Sequence, residues 1–277
     1  MSLLQKIKDL RARKAREFGK IYKIAEQART KVEQATKRVI EVQHGSGDYF
    51  FREKATRGEP TYTRPIRKDL YVDDPIELKT ATAYLFAGEW KSVDAGDLER
   101  VVYTVTQDVG AFLDFFGGNS SRKALGTFFE SVVATIISRI TSRTVGSGML
   151  ELPEYQANVS FDLGVHQGRE AELLVATKTS TRERLSQPFV QVAILRGATE
   201  QKTKCILVVI GDVQRKEGVS IAHTFTAGQF RLYSQFIAKL DGVFYCDIPP
   251  QAESLVKDGL LAPLSKLPEF LRRSLGA

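Results

Sequence analysis

Two neighbouring strand-like segments place the strongest constraint on what this chain can fold into. They cover residues 157–165 and 171–178, and the turn residues of HQGRE between them predict a β-hairpin. The segments that follow are a helix at 184–196, a buried strand at Lys204–Ile210, a helix at 228–240, a strand at Val243–Ile248 and two C-terminal helices. This order predicts an α/β (α+β) fold with a mixed central β-sheet flanked by helices.

The first 42 residues carry a helical pattern. Between residues 2 and 42 the chain has no proline and a single glycine, and apolar residues recur at spacings of three and four. These apolar positions are Leu4, Ile7, Phe18, Ile21, Ala25, Ala28, Val32, Ala35 and Val39. Because polar residues interrupt them near Arg11 and Lys14, we expect a packed helix or helical hairpin rather than a long coiled coil.

A change in composition between His44 and Asp74 predicts a linker. HGSGD, RGEPTYTRP and VDDP supply turn residues and prolines that end helices. We therefore expect an N-terminal helical region and linker at 1–75 and one larger domain at 76–277.

Helical periodicity returns at the start of the larger domain. Helices are predicted at 76–90, at 95–116 with Asp94 as N-cap, and at 121–143 with Ser120 or Ser121 as N-cap. Glu130 is a single carboxylate in the otherwise apolar or neutral middle of the third helix. The GSG sequence at 146–148 predicts a break before the hairpin.

Composition argues against several classes of protein. No uninterrupted apolar run approaches the roughly 20 residues of a membrane span, and the N-terminus lacks the apolar core and cleavage site of a secretory signal. We expect a cytoplasmic protein with no membrane partner. Cys205 and Cys246 lie in strand-like apolar runs and are predicted to be buried free thiols. The three histidines are scattered, which gives little support for a zinc site.

The net charge of +7 is concentrated at one end of the chain. Residues 1–42 contain 12 Lys or Arg against 5 Asp or Glu, so the remainder is close to neutral in sum. Broad attraction to a polyanion such as DNA would therefore come from the N-terminal helical pattern. Its basic face is either a contact for the DNA backbone, support for a dimer, or a solvated face of a packed helix.

The hairpin and the third helix supply the residue types needed to hydrolyse a phosphodiester. That reaction uses a metal ion to polarise the phosphate and lower the pKa of the attacking water, carboxylates to hold the metal, and often a lysine to orient that water. Asp162, Lys178 and Glu130 are of these types. Residues 176 and 178 share a face of the second strand, from which Lys178 can approach Asp162 across the hairpin.

This arrangement resembles the PD-(D/E)XK nuclease superfamily. The matching residues are FD at 161–162, ATK at 176–178 and KALGTFFE ending at Glu130. The continuation KTSTRER at 178–184 is similar to the Lys-x-x-x-Arg-(Asp/Glu)-Arg signature of type II restriction endonucleases that read CCGG or CCNGG cores. The resemblance covers about residues 121–195.

The resemblance implies a set of partners and roles. It implies Mg²⁺ as cofactor, double-stranded DNA as substrate, a homodimer with higher assembly left open, and a cognate DNA methyltransferase. It assigns catalysis to Asp162, Lys178 and Glu130, with Asp162 and Glu130 as metal ligands.

Residues 182–184, here called the RER segment, have the chemistry of a reader of GC base pairs. Arginine donates two hydrogen bonds to guanine O6 and N7, and a carboxylate accepts one from cytosine N4. Arg182, Glu183 and Arg184 therefore suit a GC doublet. The alternative is a helix N-terminus with solvated charges.

Two positions depart from the family pattern. Ala176 stands where the superfamily has an acid, and Gln191 stands where the CCGG-reading branch places a carboxylate about 13 residues after the lysine. The metal site would then rely on Asp162 and Glu130, with backbone carbonyls and Gln191 as neutral ligands. Glu172 lies two alternate positions from Lys178 and is set aside.

Two other functions remain open at this stage. One is a DNA repair or structure-selective nuclease on the same core, and the other is a non-catalytic DNA-binding protein. Further acids, among them Asp108 and Asp114, are explained by capping or solvation.

Overall fold

The computed structural model describes residues 2–12, 18–45, 47–86, 95–118, 122–168, 170–200 and 203–276. The helices in these ranges are α1 (Leu3–Lys8), α2 (Phe18–Ala35), α3 (Pro75–Phe86), α4 (Ala95–Phe116), α5 (Arg122–Thr141), α6 (Ser186–Ala198), α7 (Ala227–Phe236), α8 (Glu253–Lys257) and α9 (Leu267–Leu275). The strands are β1 (Arg38–His44), β2 (Gly47–Lys54), β3 (Thr61–Tyr62), β4 (Ile66–Arg67), β5 (Thr144–Leu152), β6 (Ala157–Gln167), β7 (Glu170–Lys178), β8 (Lys204–Gly211), β9 (Val213–Arg215), β10 (Ile221–His223), β11 (Gly242–Asp247) and β12 (Ala262–Pro263).

The described residues form two compact units. The first contains those within 2–12, 18–132 and 213–224, and the second contains those within 133–212 and 225–276. Helix α5 begins in the first unit and ends in the second. The predicted boundary at residue 75 lies inside the first unit, and the predicted capping residues Asp94, Ser120 and Ser121 lie outside the described residues.

The first unit combines long helices with a small antiparallel sheet. Strand β2 pairs with β1, β3 and β4, and β9 pairs with β10. Ile21, Ala25, Ala28 and Val32 of α2 are buried, which confirms the packed helix predicted there. These residues repeat at spacings of three and four and so form one apolar stripe, as expected for a helix that packs along its length.

The N-terminal helix is shorter than predicted, and the predicted linker contains strands. Helix α2 ends at Ala35, and β1 begins at Arg38 although the helical pattern continues to Val39. Pairing of β1 with β2 overrides the local preference, because β-structure depends on partners that are not local in sequence. Strand β2 places the buried Tyr49 and Phe51 in the stretch predicted to be a linker.

The second unit is built on a six-stranded mixed sheet, which confirms the predicted fold class. The strand order is β12-β11-β8-β7-β6-β5. Strands β5, β6 and β7 form an antiparallel meander, and β7, β8, β11 and β12 run parallel. The predicted hairpin is therefore β6–β7, and β7 joins the antiparallel half of the sheet to the parallel half.

Helices α6 and α7 help to close the apolar core of this unit. Phe189 of α6 contacts Phe230 of α7 with a centroid separation of 5.4 Å, and both rings are buried. Cys205 and Cys246 are buried free thiols, as predicted, and burial raises the pKa of Cys205 to about 12. The parallel strand β8 is buried along its length, as expected for a central strand covered on both faces.

One helix in the described part of the chain has the length and hydropathy of a membrane span. It covers Lys123–Thr141 within α5, and 72% of its most apolar window is buried inside the protein. Core helices of soluble proteins have the same properties, so this segment is weak evidence for a membrane.

Candidate active site

Asp162 and Lys178 form an ion pair across the β6–β7 hairpin. The distance from Lys178 Nζ to Asp162 Oδ2 is 2.9 Å, and the same oxygen accepts a hydrogen bond of 2.7 Å from the backbone N–H of Thr177. The Lys178 side chain is 9% exposed and that of Asp162 is 22% exposed. This contact agrees with the one predicted from the sequence, and the Asp162 side of the pair is partly exposed to solvent.

A β-bulge in β6 determines where Asp162 lies. Gly146 pairs with Gly164 and Gly148 pairs with Phe161, so two residues of β6, Asp162 and Leu163, face a single residue of β5. A bulge of this kind turns a side chain out of the regular alternation, and bulges are common beside active sites. Phe161 and Leu163 are both buried, on opposite faces of the sheet. Asp162 lies between them in the bulge and so does not follow the regular alternation of the strand.

The GSG sequence is part of β5, so the predicted break is wrong. A Cβ atom on Gly148 would lie 2.5 Å from the carbonyl oxygen of Leu163, and a Cβ atom on Gly164 would lie 2.8 Å from the carbonyl oxygen of Ser147. Glycine is needed where two backbones approach closely, and here it permits the bulge. Gly148 is thus a positioning residue that the sequence analysis missed. No local sequence signal marks it, because the need for glycine comes from the Leu163 carbonyl of the neighbouring strand.

Ala176 and Gln191 occupy two different environments. Ala176 is 1% exposed and belongs to the same buried apolar cluster as Phe161 and Leu185, so this position takes no part in a polar site. Gln191 lies on α6, half-buried, and its Nε2 atom donates a hydrogen bond to the carbonyl oxygen of Ser160. Since Ser160 is two residues before Asp162, Gln191 reaches the strand that carries the candidate metal ligand.

Glu130 lies in the part of α5 that belongs to the first unit, whereas Asp162 and Lys178 belong to the second. Its role as a second metal ligand stays a prediction. Among the described residues, no group of three or more His, Cys, Asp or Glu side chains has the arrangement of a metal site. The role of Asp162 as a metal ligand likewise stays a prediction.

The RER segment forms a single turn of 3₁₀ helix, and three residues separate it from the end of β7 at Lys178. Arg182 and Arg184 are exposed, and the side chain of Glu183 lies outside the described residues. The backbone N–H of Arg184 donates to the carbonyl oxygen of Thr181 over 2.6 Å, and Arg182 has a φ of 30°. The two arginines are thus displayed on a short turn with defined backbone hydrogen bonding, four and six residues after Lys178.

Other carboxylates have structural partners. Asp108 was expected to be solvated but is 3% exposed, and it accepts hydrogen bonds from Arg29 and Tyr71. Burial raises the pKa of Asp108 to about 6 in spite of the nearby Arg29 guanidinium. Asp114 pairs with Arg64, and Glu172 pairs with Arg143. The pairing with Arg143 gives Glu172 a structural partner, and its exclusion from the catalytic groups stays a prediction.

Comparison with known proteins establishes the fold. No model of a known protein family matches the sequence, and no curated protein is significantly similar to it. The Type IIP restriction endonuclease Kpn2I matches with a TM-score of 0.78 and 21% identity, covering 98% of this chain and 98% of that chain. The restriction endonuclease PspGI in complex with substrate DNA matches with a TM-score of 0.48 and 12% identity, covering 73% of this chain and 92% of that chain. The similarity to Kpn2I shows that this chain has a type II restriction endonuclease fold.

Proposed function

We propose that this protein is a type II restriction endonuclease that cuts both strands of duplex DNA at a CCGG-containing palindrome with the help of Mg²⁺. The observation that carries the proposal is the 2.9 Å contact between Lys178 Nζ and Asp162 Oδ2, with exposed Arg182 and Arg184 immediately downstream. The type II restriction endonuclease fold supports the nuclease assignment. The residue types of the RER segment support the choice of a GC-rich target.

The donor atoms around Asp162 suit Mg²⁺. This ion prefers oxygen ligands and is often held by one or two carboxylates together with water and substrate phosphates. Asp162 Oδ2 is engaged by Lys178 and Thr177, which leaves Oδ1 as its ligand atom. Gln191 uses its Nε2 atom on Ser160, which leaves its carbonyl Oε1 as a neutral ligand atom. Glu130 is the proposed second carboxylate.

The protein groups have separable roles in this proposal. Mg²⁺ would supply polarisation of the scissile phosphate and a more acidic water. The Thr177 N–H fixes the carboxylate of Asp162 through its 2.7 Å hydrogen bond. Lys178 carries a positive charge beside the reacting phosphate, where it orients the attacking water and stabilises negative charge that develops in the transition state.

The palindromic target accounts for the expected homodimer. Two copies of the RER segment must meet identical half-sites, which requires a twofold relation between protomers. Host DNA with the same site would need protection, so a cognate DNA methyltransferase is the proposed partner. Contact with the DNA backbone or further assembly is proposed for exposed basic residues of the N-terminal region, such as Lys23 and Lys31, whereas Arg29 is buried and pairs with Asp108.

Digestion of a plasmid of known sequence tests the proposal. With Mg²⁺ we expect discrete fragments whose ends map to CCGG-containing sites, and with EDTA no cutting. Random nicking, together with equal binding to CCGG and scrambled duplexes, would remove the assignment. A preference for mismatched or branched DNA over any sequence would point instead to a structure-selective nuclease.

Variants of the RER segment test the reader. Arg182→Ala and Arg184→Ala should each cost about 1–3 kcal/mol of discrimination between CCGG and other duplexes. Since both side chains are exposed, the free energy of unfolding should change little. Lys257→Ala, which removes an exposed charge from α8, is the control and should keep the preference. Unchanged preference in both arginine variants would contradict the assignment.

A non-catalytic DNA-binding protein is the second candidate, because Ala176 is a core residue and Asp162 is the carboxylate that remains at the hairpin. Gln191→Glu separates the two functions. A rise in Mg²⁺-dependent cleavage would support a nuclease whose metal shell is weak, whereas intact site binding with no cleavage in either protein would support the binding module. Ala176→Glu is unsuitable as a test, since it would bury a carboxylate in an apolar core.

A further inference from the structure

Asp212 is a fully buried carboxylate that accepts hydrogen bonds from three side chains and one backbone group. It is 0% exposed and lies directly after β8. Its Oδ1 atom accepts from Ser180 Oγ at 2.8 Å and from the backbone N–H of Thr181 at 2.6 Å. Its Oδ2 atom accepts from Thr181 Oγ1 at 2.7 Å and from Tyr245 Oη at 3.0 Å. Every one of these partners lies in the second unit.

Strand register explains why these residues meet. Strands β7, β8 and β11 are parallel neighbours, and both Lys178 and Tyr245 lie beside Val209. The carboxyl ends of the three strands therefore fall at one edge of the sheet, which is where ligand sites form in parallel sheets. Asp212 lies at this edge, beside the segment that follows Lys178.

The hydrogen bonds of Asp212 continue into the RER segment. Thr181 donates two of them, and its carbonyl oxygen accepts a hydrogen bond from the backbone N–H of Arg184. The next residue, Arg182, has a φ of 30°, a conformation that is costly for a residue with a side chain and persists only where neighbouring contacts enforce it. Asp212 supplies such contacts immediately before the strained residue.

We propose that Asp212 is a positioning residue that holds Ser180 and Thr181 and so fixes the RER segment relative to Lys178. Asp162 binds Lys178 at the start of this segment, and Asp212 binds Ser180 and Thr181 further along it. Two carboxylates therefore hold the backbone of residues 178–184 in place. Asp212 contacts neither DNA nor metal in this role. The part that concerns DNA recognition rests on the proposed function, whereas the ordering of the RER segment does not.

A carboxylate is the group this position requires. The ionised form only accepts hydrogen bonds and offers enough lone pairs for all four donors, and such charge-assisted bonds are the strong ones. Burial raises the pKa of Tyr245 well above its usual range, so the hydroxyl keeps the proton that it donates. An asparagine would instead present an NH₂ group to donors on one side of the side chain.

Limited digestion of the full-length protein with trypsin tests the ordering of the RER segment, because trypsin cleaves after exposed arginines. In Asp212→Asn we expect cleavage after Arg182 and Arg184 to accelerate about tenfold, the size expected for a lost charge-assisted hydrogen bond. Cleavage after Arg231, on α7, should accelerate only by the factor that the change in unfolding free energy, measured by denaturant, accounts for. Tyr245→Phe is the matched control, since it removes the Tyr245 hydroxyl, with its bond to Asp212 and its contact with the Thr181 side chain, and keeps the three hydrogen bonds that Ser180 and Thr181 donate to Asp212.

The proposal fails if Asp212→Asn accelerates cleavage at the RER segment no more than at Arg231, or if Tyr245→Phe has an equal effect there. Should Asp212→Asn not fold, Thr181→Val removes only the Oγ1 bond and keeps the shape of the side chain. This variant should accelerate trypsin cleavage at the same two arginines by a smaller factor. If cleavage there is not accelerated at all, the proposal is overturned.

DNA binding separates this proposal from the proposed function. The preference for CCGG, measured as the dissociation constant for a scrambled duplex divided by that for a CCGG duplex, should fall about tenfold in Asp212→Asn and stay unchanged in Tyr245→Phe. A wild-type protein without any preference would remove the restriction function, yet the trypsin result would still decide the role of Asp212. A wild-type preference that Asp212→Asn retains in full would overturn the role in recognition.

Discussion

Each unit of this protein contains a carboxylate paired with a basic side chain, and the two pairs differ in access. In the first unit, Asp108 accepts from Arg29 at 3.0 Å and from Tyr71 at 2.6 Å, and the remaining guanidinium nitrogens of Arg29 donate to backbone carbonyls. Arg29 and Asp108 are 5% and 3% exposed. In the second unit, Asp162 is 22% exposed and one of its oxygens takes all of its hydrogen bonds.

The difference shows that charge pairing by itself does not identify an active site. Both oxygens of Asp108 are occupied and shielded from solvent, so the cluster stabilises the unit and has nothing left to offer a ligand. The Asp162 side chain is partly exposed, and its Oδ2 atom accepts the hydrogen bonds from Lys178 and Thr177, so Oδ1 is the atom proposed to bind a metal. The two pairs differ in how far they are buried and in whether both carboxylate oxygens already accept hydrogen bonds.

The largest expected effect is loss of cleavage when the Asp162–Lys178 pair is broken. Asp162→Asn and Lys178→Met should each lower the rate of DNA cleavage by about 10²–10⁴-fold, since one removes a metal ligand and the other the group that acts on the attacking water. Because Met keeps most of the apolar stem of lysine, Lys178→Met retains much of the packing of this largely buried side chain, and cleavage is compared per folded molecule. Single-turnover cleavage measures the rate, and chemical denaturation measures the folded fraction. Loss of activity that only follows loss of folded protein would remove the catalytic assignment.

The Asp108 cluster should affect stability in a pH-dependent way and leave cleavage per folded molecule unchanged. Its folded-state pKa of about 6 exceeds the ordinary value of 3.8, so the folded protein takes up the proton first as the pH falls. The contribution of Asp108 to stability is therefore greatest below about pH 4 and is lost as the pH rises through 6. The total change is about 3 kcal/mol.

Comparison with Asp108→Asn isolates this effect from the other carboxylates. The unfolding free energy of the wild type, relative to that of the variant, should fall by about 2 kcal/mol between pH 4 and pH 7. Urea denaturation at several pH values measures it. A difference that is constant with pH, or that rises with pH, would mean that pairing with Arg29 outweighs burial.

The smallest expected effect concerns the bulge that turns Asp162 outward. Gly148→Ala places a Cβ atom against the Leu163 carbonyl and should cost about 1–3 kcal/mol of stability, with a further loss of cleavage per folded molecule. Gly146→Ala is the matched control on the same strand, because no atom lies within 4 Å of its added Cβ. Equal effects of the two substitutions, by thermal unfolding and cleavage rate, would show that the bulge does not position Asp162.

Local patterns were sufficient for much of the second unit. The turn residues of HQGRE predicted the hairpin that brings Asp162 to Lys178, and the apolar run Lys204–Ile210 predicted the central strand β8. These features follow from alternation and turn chemistry within about twenty residues of chain. The predicted end of the second hairpin strand at residue 178 also placed the RER segment outside the sheet, where the structure has it as a 3₁₀ turn.

Features that depend on distant partners were not predictable in the same way. Strand β1 shares its apolar positions with a helical pattern, and only its pairing with β2 decides between the two structures. Gly148 is explained by Leu163 of the neighbouring strand, and Asp212 by the ends of three adjacent strands. A single sequence read by periodicity contains no information on these contacts.

The short chain between Lys178 and Arg182 limits the distance between the backbones of these two residues. Four residues span at most about 14 Å even when fully extended. The rise of DNA is about 3.4 Å per base pair, so this backbone reaches across about four base pairs. If Lys178 acts in cleavage and Arg182 contacts bases as proposed, the cleaved phosphate lies inside or next to the recognised bases. Fragment ends that map far from CCGG would contradict this. A change of cutting distance would then require a change in the length of this segment.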